Sequence, residues 1–521
     1  MQRVWKWMAL VGVALILSTA GSAEDARAKA KTPEEVDATI IQEVKDRQEI
    51  LKNLTYLSDV IGPRMTGSAN LKKANDWAAD KFREYGLDNV KLEPYTIPAG
   101  WERGFARMRL VEPNNGRWLT VASRAWTPGT SGKMIGEVVY LNATNQEELN
   151  KYKGKLKSAI VLQSKPADIR PISDIGKPRE PRDPNNIARR RPPGGGGMEF
   201  RRSIDQFLRA EGVACTVTDS AKPHGLLNMT GNWASGDRAN AADPLPNVFM
   251  THDDYAMLYR LVTRPDAAPV KIEVEIEAKI VPGPITVYNT VGEITGTEKP
   301  DEFVVIGAHI DSWDLAQGTT DNGTGTSVVL ESARTLGKLA KAGIKSKRTI
   351  RFCLFSGEEQ GLHGSREYVK THEAELPKTS MALVHDTGTG RVTSLPMQGR
   401  SAIRAFMEKE LPQLKDLKVT VINGNQGGTD HLPFDAKGVP GFAFHQDPAE
   451  YYLTHHSQSD TLDKAREPDL IQGAQVMSTI AMRVANLPEL LSREKKTPEE
   501  KAAEEKRAAE KAAEKKNEEK K

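Results

Sequence analysis

The 521-residue chain is long enough for two or three domains, and its 38% hydrophobic and 27% charged content suits a soluble globular protein rather than a disordered or membrane one. Its 73 basic and 70 acidic residues leave a net charge of only +3. That near-balance excludes the broad positive field that would draw nucleic acid, and none is expected as a partner.

Arg3 and Lys6 precede an apolar run from Met8 to Leu17, and small residues follow through Ala20-Gly-Ser-Ala23. This is the order of a secretory signal, residues 1–23, with cleavage near Ala23. The run is too short to span a bilayer comfortably, so no stable membrane insertion is expected after cleavage. The mature chain is expected to be secreted or periplasmic. Two cysteines, Cys215 and Cys353, are too few for a disulfide framework in an exported protein. Cys353, in mid-strand, reads as a small buried hydrophobe.

Apolar residues at mostly helical spacing predict a helix over 34–57. Gly62-Pro-Arg-Met-Thr-Gly-Ser68 interrupts it, and a second helix over 69–85 is stopped by Gly86. Residues 90–95 alternate like a strand. Short strands are predicted at 137–141 and 159–163. Between Asp168 and Phe200 the chain is dense in Pro, Arg and Gly, including Arg189-Arg-Arg-Pro-Pro-Gly-Gly-Gly-Gly197. Such a stretch cannot bury enough apolar area to pack, which predicts a solvated surface loop. A helix over 203–211, a strand over 213–217, a strand and helix over 246–261 and an outer strand over 270–280 come next.

The pattern changes at Pro284. Strands over 286–294 and 302–310 are separated by the hairpin-like link Thr295-Gly-Thr-Glu-Lys-Pro300. A helix over 324–339, strands over 348–355, 381–385 and 419–422, and a closing helix over 470–487 complete the alternation. Strands alternating with helices imply an α/β fold, a three-layer sandwich around a mixed central sheet. Residues 493–521 are almost all Lys, Glu and Ala with no apolar face, which predicts a solvated, disordered charged tail.

Histidines and carboxylates recur where strands end. Glu302-Phe-Val-Val-Ile-Gly-Ala-His309 delivers His309 to the carboxyl end of a strand, where functional groups collect in open α/β sheets. Asp311, two positions on, could accept a hydrogen bond that fixes the imidazole tautomer. Asp321, in Gly318-Thr-Thr-Asp-Asn-Gly-Thr-Gly325, could bridge two cations, or simply cap the next helix. Glu358 and Glu359 are adjacent, and two such charges at a strand end are costly without cations. One could bind metal while its neighbour faces the attacking water. Asp386 again closes a hydrophobic strand, and His455 and His456 come near the end. Two histidines and three carboxylates as ligands, with one more carboxylate as base, suit two cations sharing a bridging aspartate.

In this order, Gly62-Pro-Arg-Met-Thr-Gly-Ser68, Gly307-Ala-His-Ile-Asp-Ser-Trp313, Ser356-Gly-Glu-Glu-Gln-Gly361 and His456-Ser-Gln-Ser-Asp460 resemble the blocks of the co-catalytic zinc metallopeptidases, the family of aminopeptidase S, glutamate carboxypeptidase II and carboxypeptidase Q. The resemblance covers most of the chain. It implies two zinc ions held by His309, Asp321, Glu359, Asp386 and His456, with Asp321 as the bridge and Glu358 as general base. His456 rather than His455 is implied as the ligand because it stands four residues before Asp460. His455 takes the place of a tyrosine in some relatives and is expected to donate to the oxyanion. Asn425-Gln-Gly-Gly-Thr-Asp-His-Leu-Pro433 resembles a substrate-side loop, in which Asp430 and His431 would support or line the pocket; a turn leading into a capped helix is the plainer alternative. The segment 132–280 resembles an inserted β-rich protease-associated domain, leaving 24–131 and 281–492 as the peptidase domain.

The implied function is an exported exopeptidase hydrolysing short peptides or dipeptides by a metal-activated water. Two rival readings share the scaffold, a ligand-depleted receptor and a glutaminyl cyclase-like transferase. The expected partner is a short peptide, with a homodimer left open.

Overall fold

In a computed structural model of the chain, residues 31–114, 116–169, 173, 196–231, 244–448 and 450–518 are described. The expected signal at 1–23 and most of the loop over 168–200 lie outside the described residues.

The first helix, α1 (Pro33–Arg47), starts at a capping box: Glu35 N–H donates to the Thr32 hydroxyl, and Thr32 N–H to the Glu35 carboxylate. The single helix expected over 34–57 is divided. Gln48 is extended, Glu49 N–H donates to Glu331 and Ile50 N–H to the Gln48 side chain, so these amides leave the helical ladder. A short helix, Ile50–Thr55, and a wider turn, Tyr56–Ile61, come next. The second long helix, α2 (Ala69–Tyr85), is capped by Ser68 and ends as expected at Gly86, whose φ of +84° is left-handed.

Two long strands, β1 (Asp88–Glu112) and β2 (Lys271–Ile294), pair antiparallel along most of their length. The change expected at Pro284 is not a strand end. Ile97 pairs with Ile285 and Ala99 with Pro282, so Gly283 and Pro284 face Pro98 alone, a bulge where proline's missing donor is harmless. A Cβ on Gly283 would lie 2.2 Å from the Pro98 carbonyl oxygen, so only glycine fits.

The α/β unit that follows comprises β3 (Lys299–His309), α3 (Thr324–Lys341), β4 (Arg348–Phe355), α4 (His363–Thr371), β5 (Thr379–Val384), β6 (Gly441–Ala443) and α5 (Glu467–Ala485). The sheet runs β6-β5-β3-β4-β2-β1, with the first four strands parallel and β2 antiparallel to β4. The link 295–300 is therefore not a hairpin. The β3–α3–β4 crossover returns β4 to the place between β2 and β3.

Alternate side chains build two cores. Val304, Ile306, Phe352, Leu354, Met381 and Leu383 pack with α1, α2, α3 and α5, whereas Val305, Cys353, Phe355 and Ala382 pack on the other face with Tyr368 and Phe434. Helices thus cover both faces, giving a mixed α/β sandwich.

The far half of β2 pairs with strand Met134–Tyr140 and leads into Ile160–Leu162, Cys215–Asp219, Asn247–Met250 and Val121–Ser123. These strands have their own core, which includes Met108, Val138, Ile160, Cys215, Val248 and Ile272. The two thiols therefore sit in different cores.

The charged tail contains a helix over Pro498–Glu518. Ala, Glu and Lys are strong helix formers, and the helix start is held to the body by Ser401 with Glu500. Its described side chains are exposed almost throughout.

Candidate metal centre

The parallel strands β3, β4 and β5 end side by side, so the residues at and just beyond their carboxyl ends converge. His309 is the last residue of β3, Glu358 and Glu359 come just after β4, and Asp386 stands two residues after β5. Asp321 arrives on the turn that opens α3, and His455 and His456 on the segment after a short helix, Tyr451–Thr454.

The two carboxylate oxygens of Asp321 point opposite ways. Its Oδ1 lies 3.4 Å from His309 Nε2, which is also 3.3 Å from Asp386 Oδ1. Its Oδ2 lies 3.3 Å from His456 Nε2, which is 2.9 Å from Glu359 Oε2. The five expected ligands therefore form one cluster with Asp321 between its halves. His455 stacks on His456 with ring centroids 3.8 Å apart, and its Nε2 is 3.8 Å from Asp321 Oδ2. Only His456 of the pair has a contact with Glu359.

The electrostatics of this cluster are those of a cation site. Burial, reinforced by neighbouring acids, pushes the Glu358 and Glu359 carboxyls well above the usual range. Burial opposes the charged form of His309 too, but Asp386, Asp311 and Asp321 outweigh it and raise its pKa. Asp321 is buried as well, yet His309, His456 and His455 hold it below the ordinary aspartate value. Two buried carboxylate oxygens, Asp321 Oδ2 and Glu359 Oε1, accept no hydrogen bond. Buried carboxylate oxygens left without a hydrogen bond are costly unless a metal takes them. Imidazole and carboxylate donors in this mixture suit zinc. The residues present fit the metal that the sequence implies.

Asp311 has a larger task than orienting His309. The His309 Nδ1 contact at 3.1 Å is with the Asp311 main-chain carbonyl, and the carboxylate is 3.6 Å away. That carboxylate instead accepts from Glu358 N–H at 3.3 Å, Glu359 N–H at 3.4 Å and the Thr66 hydroxyl at 3.0 Å. It holds the glutamate turn.

Asp430 and His431 are fully buried behind the pocket and do not line it. Asp430 accepts from the Ser365 hydroxyl at 2.5 Å, and burial raises its carboxyl to about 7. His431 Nε2 lies 3.0 Å from the Gln426 carbonyl, and its pKa is lowered to about 4 by burial. His431 braces the Gln426–Gly428 loop, which does line the pocket, and Asp430 ties the same stretch to α4. Neither serves as a capping side chain for the helix Leu432–Ala436.

Three supports carry no sign of their role in the sequence. Arg64 is fully buried and donates to the carbonyls of Ile310, Gln317 and Gly318, which clamps the loop between His309 and Asp321. Its signal was the Gly62–Ser68 block, whose residues offer no visible partner in sequence. Asp460 accepts from Thr320 N–H at 2.5 Å and Asp321 N–H at 3.3 Å, fixing the backbone of the bridging position. Lys222, from the second core's side of the molecule, donates to the carbonyls of Tyr452 at 2.9 Å and His455 at 2.8 Å.

The pocket over the cluster has a volume of about 550 Å³. Tyr451 closes one side, its ring against Gly388, where a Cβ would approach to 2.6 Å.

A mixed α/β sheet with this histidine–carboxylate cluster at its strand ends defines a metallopeptidase. Residues 289–481 match the model of peptidase family M28. Carboxypeptidase Q of Rattus norvegicus is 30% identical over 442 residues, covering 85% of this chain and 86% of the relative. The chain belongs to this family of co-catalytic zinc metallopeptidases. The crystal structure of a peptidase M28 precursor from Shewanella amazonensis SB2B superposes with a TM-score of 0.70 at 26% identity, over 88% of this chain and 98% of that one. BSAP, a zinc aminopeptidase from Bacillus subtilis, shares the fold with a TM-score of 0.60 at 20% identity, over 86% and 97% of the two chains.

Proposed function

We propose that this protein is an exported, zinc-dependent exopeptidase that hydrolyses short peptides or dipeptides, using two zinc ions and Glu358 as general base. The observation that carries the reading is the division of Asp321, one oxygen towards His309 and Asp386 and the other towards His456 and Glu359. The similarity to carboxypeptidase Q and to a zinc aminopeptidase supports exopeptidase action. The signal-like residues 1–23 support export, and among the described residues no helix is long and apolar enough to cross a membrane.

His309, Asp386, Asp321, Glu359 and His456 would hold the zinc. Zinc supplies a Lewis acid that makes water acidic near neutral pH and polarises the scissile carbonyl. Glu358 lines the pocket beside these ligands and is the carboxylate left over for proton transfer. It takes the proton of the attacking water and passes it to the departing amine. His455 donates to the developing oxyanion, a role supported by its lining the same pocket. The second core, which resembles a protease-associated domain, narrows access and favours short substrates.

The test is metal analysis together with a hydrolysis assay on unblocked dipeptides. About two zinc per chain and zinc-dependent release of amino acids are expected. A chain that is purified and reconstituted without retaining zinc would be the receptor-like alternative. Formation of pyroglutamate without hydrolysis would point to the cyclase.

A further inference from the structure

The pocket has an anion-seeking wall that the metal chemistry does not use. Every carboxylate lining it, Asp321, Glu358, Glu359 and Asp386, belongs to the cluster described above, so none is spare to grip a substrate ammonium group. Arg366 is the sole lysine or arginine in the lining. It makes no ion pair among the described residues. Its Nε donates to the Gly361 carbonyl at 3.1 Å, which ties the guanidinium to the turn carrying Glu358.

Arg366 is also joined to the glycine loop. Its neighbour Ser365 donates to Asp430, while His431 and Gln398 hold Gln426. The α4 start and the Gln426–Gly428 loop are therefore linked and line one side of the pocket together. Gly427 and Gly428 have open space where a Cβ would stand, so bare backbone faces the same pocket that Arg366 lines. A planar guanidinium recognises a carboxylate through paired N–H donors.

We infer that Arg366, on the wall shared with Gly427 and Gly428, binds the free C-terminal carboxylate of the substrate. This rests on the peptidase reading and deepens it: the enzyme releases a C-terminal residue from dipeptides and short peptides. Arg366 is a specificity-determining residue and takes no part in the proton transfers.

The zinc-loaded full chain is assayed on Ala-Leu, Ala-Leu amide and acetyl-Ala-Leu. The parent is expected to favour the free acid over the amide by about 10–100-fold in kcat/KM, the scale of a charge-assisted hydrogen-bonded pair. Arg366→Ala should collapse that preference to within about 3-fold, chiefly through KM, and weaken inhibition by product leucine about 10-fold. Arg366→Lys, which keeps the charge but not the fork, should fall between, and zinc content reports that both variants are folded. Equal hydrolysis of acid and amide by the parent, or an unchanged preference in Arg366→Ala, overturns the inference alone. Hydrolysis of none of the three substrates overturns the peptidase reading and the inference with it.

Discussion

Glu358 and Glu359 are covalent neighbours whose main chain is held by one carboxylate, that of Asp311, yet their side chains serve different ends. Glu359 faces His456 at 2.9 Å, while no protein cation pairs with Glu358 among the described residues. That asymmetry supports the proposed division of roles, Glu358 as proton carrier and Glu359 as ligand. Glu358→Gln keeps the shape and removes the base. It is expected to retain zinc and fold while kcat falls about 10²–10⁴-fold. Near-parental turnover with full zinc content would refute the assignment. At this scale the candidate ligands His309, Glu359 and Asp386 were legible because each ends or follows a hydrophobic strand, and strand ends are where an α/β sheet exposes its functional groups, whereas Asp321 and His456 were legible only through their sequence blocks. The duties of Asp311, Asp430 and His431 were not. All but one of their partners (Glu358, Glu359, Ser365 and Gln398) are distant in sequence, and the nearby Gln426 is reached through its main-chain carbonyl, which local spacing does not reveal.

Between elements, the segment that carries His455 and His456 is held from outside the sandwich. Lys222 donates to two of its carbonyls, Met229 N–H donates to the His456 carbonyl at 3.1 Å, and Trp313 stands edge-on to His456 and to Trp126. His456 itself adopts a left-handed backbone at φ +49°, which a non-glycine residue keeps only when its surroundings impose it. The segment that carries Lys222 and Met229 is therefore a clasp on one half of the candidate cluster. Lys222→Met removes the donors but keeps the side-chain length. The zinc concentration needed for half-maximal activity is expected to rise about 10-fold, the usual scale for groups that orient ligands. Zinc titration followed by metal analysis checks this, and an unchanged titration would confine Lys222 to packing. The strands and helices around this clasp were mostly readable from periodicity. The bulge at Pro284, the split of the first helix and the position of β4 were not, because each depends on what a neighbouring element supplies.

For the whole molecule, the acidic cluster makes stability depend on metal and on pH together. Burial and neighbouring acids hold Glu358 and Glu359 well above the usual range, and burial holds Asp430 at about 7. A carboxyl whose pKa is raised by folding adds stability that is fully present below the unfolded value near 4 and is lost as pH rises through the folded value. For Asp430 that window closes near pH 7, with a slope of at most about 1.4 kcal/mol per pH unit for one proton. The metal-free protein should therefore weaken between about pH 4 and 7, whereas zinc compensates the charges and binds better once its ligands are deprotonated. Chelation is expected to lower Tm by roughly 5–10 °C at pH 8 and by less at pH 5. An equal drop at both values would show that the cluster does not carry the linkage.

Sequence alone determined the α/β class, the order of the ligating residues and the family, because strand periodicity and short blocks such as Ser356-Gly-Glu-Glu-Gln-Gly361 are local properties of the chain. Tertiary structure decided which oxygen of Asp321 faces which histidine, that Arg64, Lys222 and Asp460 hold the ligand loops, and that Arg366 shares a wall with the Gln426–Gly428 loop. Those contacts join residues tens to hundreds of positions apart. Only the packing of the sheet and its helices brings such groups within hydrogen-bonding distance, and hydrophobic burial, which drives that packing, does not specify their pairing in advance.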